Sequence, residues 1–324
     1  MGREGEWLEQ PVTQPIDVAQ WKGDDEFEVY PEGARDKSLL ISPRQSEYDF
    51  LIPNHRYLFK HPFRRHPDQF WTEIIAYRIG CMLEIPVPPA FVAYDSDNGM
   101  CGALIEWFVD YPDAPEERFV PGGDIMASEI YEFDRKKGRQ HNFLSIEKYL
   151  SALDRRGCRV LDWLGFWCDM LLFDALIGNT DRHQDNWGLL WTQGYNHVRM
   201  APAFDNGTSL GYEILDTKMA NFDNPGRMQA YLDKGRHHLR WRLDDSNQGQ
   251  HFALLESLLL KHPSLKNRMQ KKLMLFQWER LQAIMSRCIQ YPITVPLSTT
   301  RADFVCKLVG ARYRAIVEKI KSLP

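Results

Sequence analysis

The sequence predicts an α+β protein in two lobes, a small strand-rich one in front and a larger helical one behind. Three observations predict it. Up to about residue 110, segments of strand-type residues alternate with turn formers and are interrupted by a single helical pattern. After Tyr111 the apolar residues recur mostly at helical spacing, over roughly 210 residues. The chain has 324 residues, 44% hydrophobic and 26% charged, which is the make-up of an ordinary globular protein with one or two cores. The division is placed between 1–108 and 109–324.

Residues 1–30 are polar and punctuated by proline, an extended arm. "SLLI" at 38–41 and "RYLFK" at 56–60 read as strands, with "SPRQSEYDFLIPN" turning between them. In "DQFWTEIIAYRIGCML" the residues Phe70, Ile74, Ile75, Ile79 and Met82 recur at helical spacing, and Pro86 closes the helix. "PPAFVAYDS" and "GALIEWFV" read as two further strands, and "YPDAPEERFVPGG" as a loop. "SIEKYLSALDRRG" opens on a capping box at Ser145, with Lys148 in place of the usual glutamate and Glu147 in the first turn. "CRVLDWLGFWCDMLLFDALIG" is apolar nearly all round, hence a buried helix, with Gly178 as its C-cap. Two helices follow, at about 264–290 and 300–322.

A net charge of -4 gives no reason to expect direct nucleic-acid binding, which normally needs a basic face. Six cysteines form no CxxC pair and no metal-ligand spacing. Cys81, Cys158, Cys168 and Cys306 lie in apolar surroundings and read as buried free thiols. The N-terminus has no apolar signal core, and no apolar run approaches the roughly 20 residues of a membrane span. A reducing cytoplasm is the default expectation; a secreted bacterial effector has the same features.

The chemistry concentrates in "LIGNTDRHQDNWGLL", residues 176–190. Asp181 and Asn186 are separated by four residues, and Asp205 follows in "APAFDNGTSLG", ahead of an Asn-Gly turn. Two acids and an amide on loops beside buried elements suit Mg²⁺, which takes hard oxygen ligands and leaves positions for phosphate and water. D-x(4)-N alone is weak, because chance supplies it and a polar loop rich in turn formers looks the same. It gains weight from Lys60 at the end of a strand and Glu73 at the start of the next helix, the order of the lysine and glutamate of kinases. "ALIEWFV" falls where the chain passes between lobes. The backbone of Glu106, Trp107 and Phe108 could hydrogen-bond an adenine, with either aromatic as a wall; simple core packing is the alternative for both.

These segments resemble the HipA-like kinase family, from about residue 33 to 215. "GARDKSLLI" resembles its Gly-x-Arg-x-Lys phosphate segment, "YLFK" and "TEIIAYRIGCMLEIPVP" its lysine strand and glutamate helix, and "LLFDALIGNTDRHQDNWGLL" and "APAFDNGTSL" its catalytic and metal motifs. The Asp-Arg-His-x-x-Asn core is shared with phosphoinositide kinases. The resemblance implies a protein-kinase-like fold using ATP and Mg²⁺, with serine or threonine as acceptor. It implies Lys60 on the α/β-phosphates, Glu73 on Lys60, Asp181 at the acceptor hydroxyl, Asn186 and Asp205 on the metal, and His183 as a structural or phosphate-facing neighbour. It places Arg35, Lys37 and the amides near Ser38 on the phosphates, since the usual Gly-x-Gly-x-x-Gly loop is missing. The front is shorter than in full-length HipA toxins, so their extra N-terminal subdomain is expected to be absent.

The family further implies a bacterial toxin–antitoxin or stress setting, an unidentified protein substrate such as a translation component, and a small DNA-binding antitoxin as partner. It also implies autophosphorylation near the phosphate loop, for which Ser38, Ser42 and Ser46 are the local candidates. A lipid or small-molecule kinase and a non-catalytic nucleotide-binding module remain as alternatives. The basic run "KGRHHLRW", 234–241, reads either as a solvated face around a buried tryptophan or as a receiving surface for an acidic partner or a phosphate.

Overall fold

The computed structural model describes residues 3–24, 37–61, 65–112, 114–192 and 197–323. Its front half is a six-stranded sheet built from β1 (Ile16–Asp17), β2 (Lys22–Gly23), β3 (Lys37–Ile41), β4 (Arg56–Lys60), β5 (Ala90–Asp95) and β6 (Met100–Glu106), in the order β1-β5-β6-β4-β3-β2. The period of two along β4 assigns its faces. Tyr57 and Phe59 join Leu40, Phe91 and Leu104 on one side, together with Ile16 and Val18 of the N-terminal arm. Leu58 points the other way with Leu39 and Ile105, toward helix α1 (Trp71–Met82). Lys60, two residues on, therefore shares the α1 face. The expected arm is extended and is bound: β1 pairs in parallel with β5, and Gln10 bonds the backbone of Val92 in both directions.

The second half holds helices α2 (Gly122–Glu129), α3 (Phe143–Arg155), α4 (Trp163–Ile177), α5 (Asp216–Met219), α6 (Pro225–Lys234), α7 (His251–Lys261), α8 (Leu265–Met274), α9 (Trp278–Cys288) and α10 (Thr299–Ser322). It also holds a four-stranded sheet that the sequence reading missed, β7 (Glu117–Pro121), β8 (Arg159–Val160), β9 (Gly188–Thr192) and β10 (His197–Met200), in the order β7-β9-β10-β8. β7 occupies the segment read as a loop. Its apolar residues number only two, Phe119 and Val120, too few to outweigh the prolines and acids around them. Helix α4 is central, buried continuously from Trp167 to Ile177, and packs against α7, α8 and α10.

Three boundaries differ from expectation. The cap of α3 is Asn142, whose side chain accepts from the Ser145 amide, so Ser145 lies inside the helix. Asn and Ser are equal as caps, and the pairing of Asn142 with Arg240 fixes which one ends the extended chain. Helix α4 starts at Trp163, because Arg159 and Val160 pair with β10. The helix expected at 264–290 is two helices, broken at 275–277. All six cysteines are free thiols; Cys81, Cys101, Cys168 and Cys288 are buried, while Cys158 and Cys306 are only half-buried.

Candidate active site

Helix α4 ends where the polar loop begins. Gly178 takes the left-handed conformation (φ 68°), and a Cβ there would lie 2.7 Å from the Arg312 guanidinium carbon, so glycine is required twice over. Asn179 then folds the loop back on itself: its Oδ1 accepts from the Asp181 amide (3.0 Å) and from Thr208 Oγ1 (3.1 Å). Asn186 closes it from the other end, donating Nδ2 to the Asp181 carbonyl (2.7 Å). Asp181 is thereby gripped at both its amide and its carbonyl, and its side chain stays half-buried. His183 is a neighbour of this arrangement. Its Nδ1 accepts from the Asp185 amide (3.1 Å) and its ring meets the ring of His238 edge-on at 6.0 Å.

The fully buried Arg182 joins the loop to the rest of the lobe, and the sequence reading assigned it no role. It donates to both oxygens of Asp174 (3.0 and 2.8 Å), to Asn206 Oδ1 (2.8 Å), to the Asn186 carbonyl (3.1 Å) and to the Phe204 carbonyl. One guanidinium thus ties α4, the 179–186 loop and the 201–207 loop together. Burial alone would raise the Asp174 pKa; the Arg182 charge and the His237 hydrogen bond override it and hold the carboxyl well below its usual range. A signal for this was present: an acid within an otherwise apolar helix requires a buried cation.

The hairpin β9–β10 brings the two loops side by side. Met200 pairs with Leu189, and the Ala201 amide donates to the Gly188 carbonyl, so Asn186 and Asp205 leave the same end of one hairpin. At Asp205 the backbone turns into the left-handed region (φ 56°), which short polar side chains tolerate. Its Oδ1 accepts from Lys60 Nζ at 2.7 Å, and Lys60 also donates to Glu73 Oε1 at 2.5 Å. Glu73 Oε2 accepts from the Asn206 amide (2.9 Å). Lys60, Glu73 and Asp205, taken from a strand, a helix and a distant loop, are in direct contact. The donor set suits Mg²⁺: Asp205 is one-third exposed, and donation by Asn186 Nδ2 to Asp181 turns the Asn186 oxygen the other way.

Beside this cluster lies a cavity lined by Lys37, Leu58, Lys60, Pro88, Glu106, Trp107, Phe108, Phe204 and Asp205. Its volume is about 30 Å³, room for about two waters. Phe108 stacks between Trp107 and Phe204, each at 5.0 Å. The register leaves the Glu106 carbonyl without a ladder partner on the β5 side. Glu106 donates its amide to the Pro89 carbonyl (2.8 Å), and the return bond is missing because proline has no N–H. The Trp107 amide and carbonyl are already used, on Arg56 and His55. The Glu106 side chain points away from the cavity. It is fully buried and bound by Arg3, Tyr57 (3.2 Å) and Tyr111 (3.0 Å). Burial raises its pKa, and Arg3 offsets this in part.

Arg35 and Gly33 lie outside the described residues. Lys37 stands directly opposite Lys60 across β3 and β4, two cations side by side at the cavity. Ser38 faces His61 (Oγ to Nε2, 3.1 Å) and is half-buried. Ser42 is 2% exposed and bonded to Ile52 and His55, which shields it from modification; Ser46 is half-buried and bonded to Tyr48.

The model of the HipA-like C-terminal domain family matches residues 30–253 of this chain. The chain belongs to that family. As a fold, this HipA-like chain is similar to the proinflammatory kinase CtkA of Helicobacter pylori. That structure superimposes with a TM-score of 0.66 at 18% identity, over 94% of this chain and 96% of that one. It is also similar to the HipA of Shewanella oneidensis MR-1, in a structure with HipB and operator DNA, with a TM-score of 0.52 at 15% identity, over 97% of this chain and 71% of that one. In sequence, 45 residues are 47% identical to the serine/threonine-protein kinase CtkA of Helicobacter pylori strain J99, a match that spans 14% of each chain. The kinase-like α+β fold of the HipA-like family is therefore the fold of this chain. No helix among the described residues is long and apolar enough to cross a membrane.

Proposed function

We propose that this HipA-like chain is an ATP- and Mg²⁺-dependent serine/threonine protein kinase. The observation that carries the reading is Lys60, which bridges Glu73 and Asp205 at 2.5 and 2.7 Å beside a cavity walled by the 106–108 segment. In this reading the Glu106 carbonyl accepts from the adenine amine, and Lys37 and Lys60 take the phosphates. Glu73 keeps the Lys60 ammonium in place. Asn186 and Asp205 hold Mg²⁺, which when bound neutralises charge on the transferring phosphoryl group. Asp181 orients the acceptor hydroxyl and accepts its proton. The acceptor oxygen bonds to the γ-phosphorus, the bond from that phosphorus to the β-bridging oxygen breaks, and ADP leaves. Catalysis rests on position and charge, which is what a loop gripped at both ends supplies.

In the finer parts of the reading, residues 1–108 and 109–324 act as the two lobes, Ser38 is the autophosphorylation candidate within the phosphate segment, and the setting is a reducing cytoplasm, with a secreted bacterial effector as the alternative. The Shewanella HipA was solved with HipB and DNA, which supports a small DNA-binding antitoxin as partner here. The test is transfer of labelled γ-phosphate from Mg-ATP to protein by wild type and by Asp181→Ala. Label with wild type alone is expected. Nucleotide binding without transfer to protein, but with transfer to a lipid or small molecule, would replace the acceptor class. No binding and no transfer would leave a non-catalytic module.

A further inference from the structure

Two basic segments, far apart in sequence, meet on the outer side of the 179–186 loop. The first is the turn 134–139, "DRKKGR"; the second is the run 234–241. Arg240 ties the second run to the first turn and to the residues just after it. The Arg240 amide donates to the His141 carbonyl (3.0 Å) and the Phe143 amide to the Arg240 carbonyl (3.0 Å). Arg240 Nη1 also reaches the Gly138 carbonyl (3.4 Å). The turn is in addition anchored to the loop that carries Asp181. Gln184 Nε2 donates to the Arg135 carbonyl, and Arg135 pairs with Asp185 (2.9 Å) and Asp124. Gly138 allows the approach: it lies at φ 55°, and a Cβ there would sit 2.1 Å from Gln184 Oε1.

With Arg135 consumed as the anchor, the cations that remain face outward. Lys136, Lys137 and Arg139 are exposed and make no ion pair among the described residues. Arg236 is exposed, and Arg240 is half-buried. Burial lowers the Arg240 pKa, Asp245 opposes this, and the like charge of Arg139 adds to the lowering. The alternation in the second run gives it a buried side: His237 and Leu239 are 1% and 0% exposed, which turns Arg236 and Arg240 outward.

We infer that this doubly anchored basic surface is the acceptor-recognition surface of the enzyme, and that it selects protein segments carrying acidic side chains around the target serine or threonine. The inference rests on the kinase reading above, because it places the surface by its attachment to the loop of Asp181. An acidic peptide fits better than a nucleic-acid strand. Asp134 lies in the first turn, its Oδ1 accepting from the Lys137 amide, and Asp245 sits against Arg240, acids that would repel a continuous phosphate backbone but leave room for separate carboxylates. The one tryptophan in the run, Trp241, has a ring face covered by Phe143 (4.9 Å, 9° between planes), so that face is not open to a base.

The test uses the full chain and three probes: a serine peptide with aspartate and glutamate flanks, the same peptide with neutral flanks, and a single-stranded RNA oligonucleotide. Binding is read by fluorescence anisotropy, and phosphate transfer to the peptides with Mg-ATP in parallel. The acidic peptide is expected to bind roughly tenfold or more tightly than the neutral one, with the preference lost at high salt. Lys136→Glu/Lys137→Glu/Arg139→Glu is expected to cancel the preference and to favour instead a peptide with lysine flanks, a gain that misfolding cannot produce. Equal binding of acidic and neutral peptides overturns the proposal. So does RNA binding that depends on the three cations without acidic-peptide binding. Acidic-peptide binding that reverses with charge but gives no phosphate transfer overturns the kinase reading and leaves a peptide-binding surface.

Discussion

Lys60 Nζ donates to Asp205 Oδ1 at 2.7 Å, a contact between the end of a strand and a loop 145 residues later. Because Lys60 also holds the buried Glu73, its removal has two consequences. Lys60→Met is expected to lower phosphate transfer by about a hundredfold or more. It is also expected to cost about 3 kcal/mol in urea unfolding, since the buried Glu73 then keeps the Asn206 amide as its one hydrogen-bond partner among the described residues. Asp205→Asn, at a one-third exposed position, should lose Mg²⁺-dependent transfer with little change in stability. Full transfer by Lys60→Met would remove this residue from the phosphate site.

Arg182 and Asp174 are both 0% exposed and paired at 2.8 Å. Arg182→Leu leaves the carboxylate buried with His237 and Asn179 as its remaining partners, and is expected to destabilise the fold by about 3–5 kcal/mol. Arg182→Leu/Asp174→Leu should recover a large part of that loss without recovering activity, because the loops stay untied. Thermal unfolding of the single and double variants checks it; a double variant as weak as the single one contradicts the pairing argument.

His251 sits below the same loop and bonds the Asn179 carbonyl at 2.6 Å. Burial, and after it the Arg312 charge, push its pKa down to about 3 from an ordinary 6.5. Between those values the unfolded chain binds a proton that the folded chain does not. Stability is therefore full above about pH 6.5 and falls as the pH drops toward 3. His238, pushed down to about 4, acts with the same sign over a narrower window. His251→Gln, which can still donate to Asn179, should flatten the fall of melting temperature on acidification. A slope equal to wild type would assign the fall to other groups.

Arg3 reaches across the back of the 106–108 segment, donating to Glu106 and to the Phe50 carbonyl (3.0 Å). Arg3→Ala leaves Glu106 with two tyrosine hydroxyls and is expected to cost about 1–3 kcal/mol. It should also weaken ATP binding, because the Glu106 carbonyl is positioned by the residue that Arg3 holds. Titration of nucleotide into both proteins measures this; an unchanged affinity would separate the arm from the cavity.

The sequence by itself determined what is local: which residues alternate or recur at helical spacing, where α4 ends at Gly178, and the order in which Lys60, Glu73, Asp181, Asn186 and Asp205 appear. Periodicity and capping express contacts within a few residues, so they can be read without the rest of the chain. The tertiary structure alone decided the partners of buried charge. Arg182 meets Asp174 only because α4 and its loop close on each other, Arg3 meets Glu106 across 103 residues, and the Glu106 carbonyl lacks a ladder bond only because Pro89 falls opposite it. β7 became a strand through pairing with β9, against its own composition. Such pairings follow from register and from the need to satisfy every buried polar group, and neither leaves a periodic trace in the sequence.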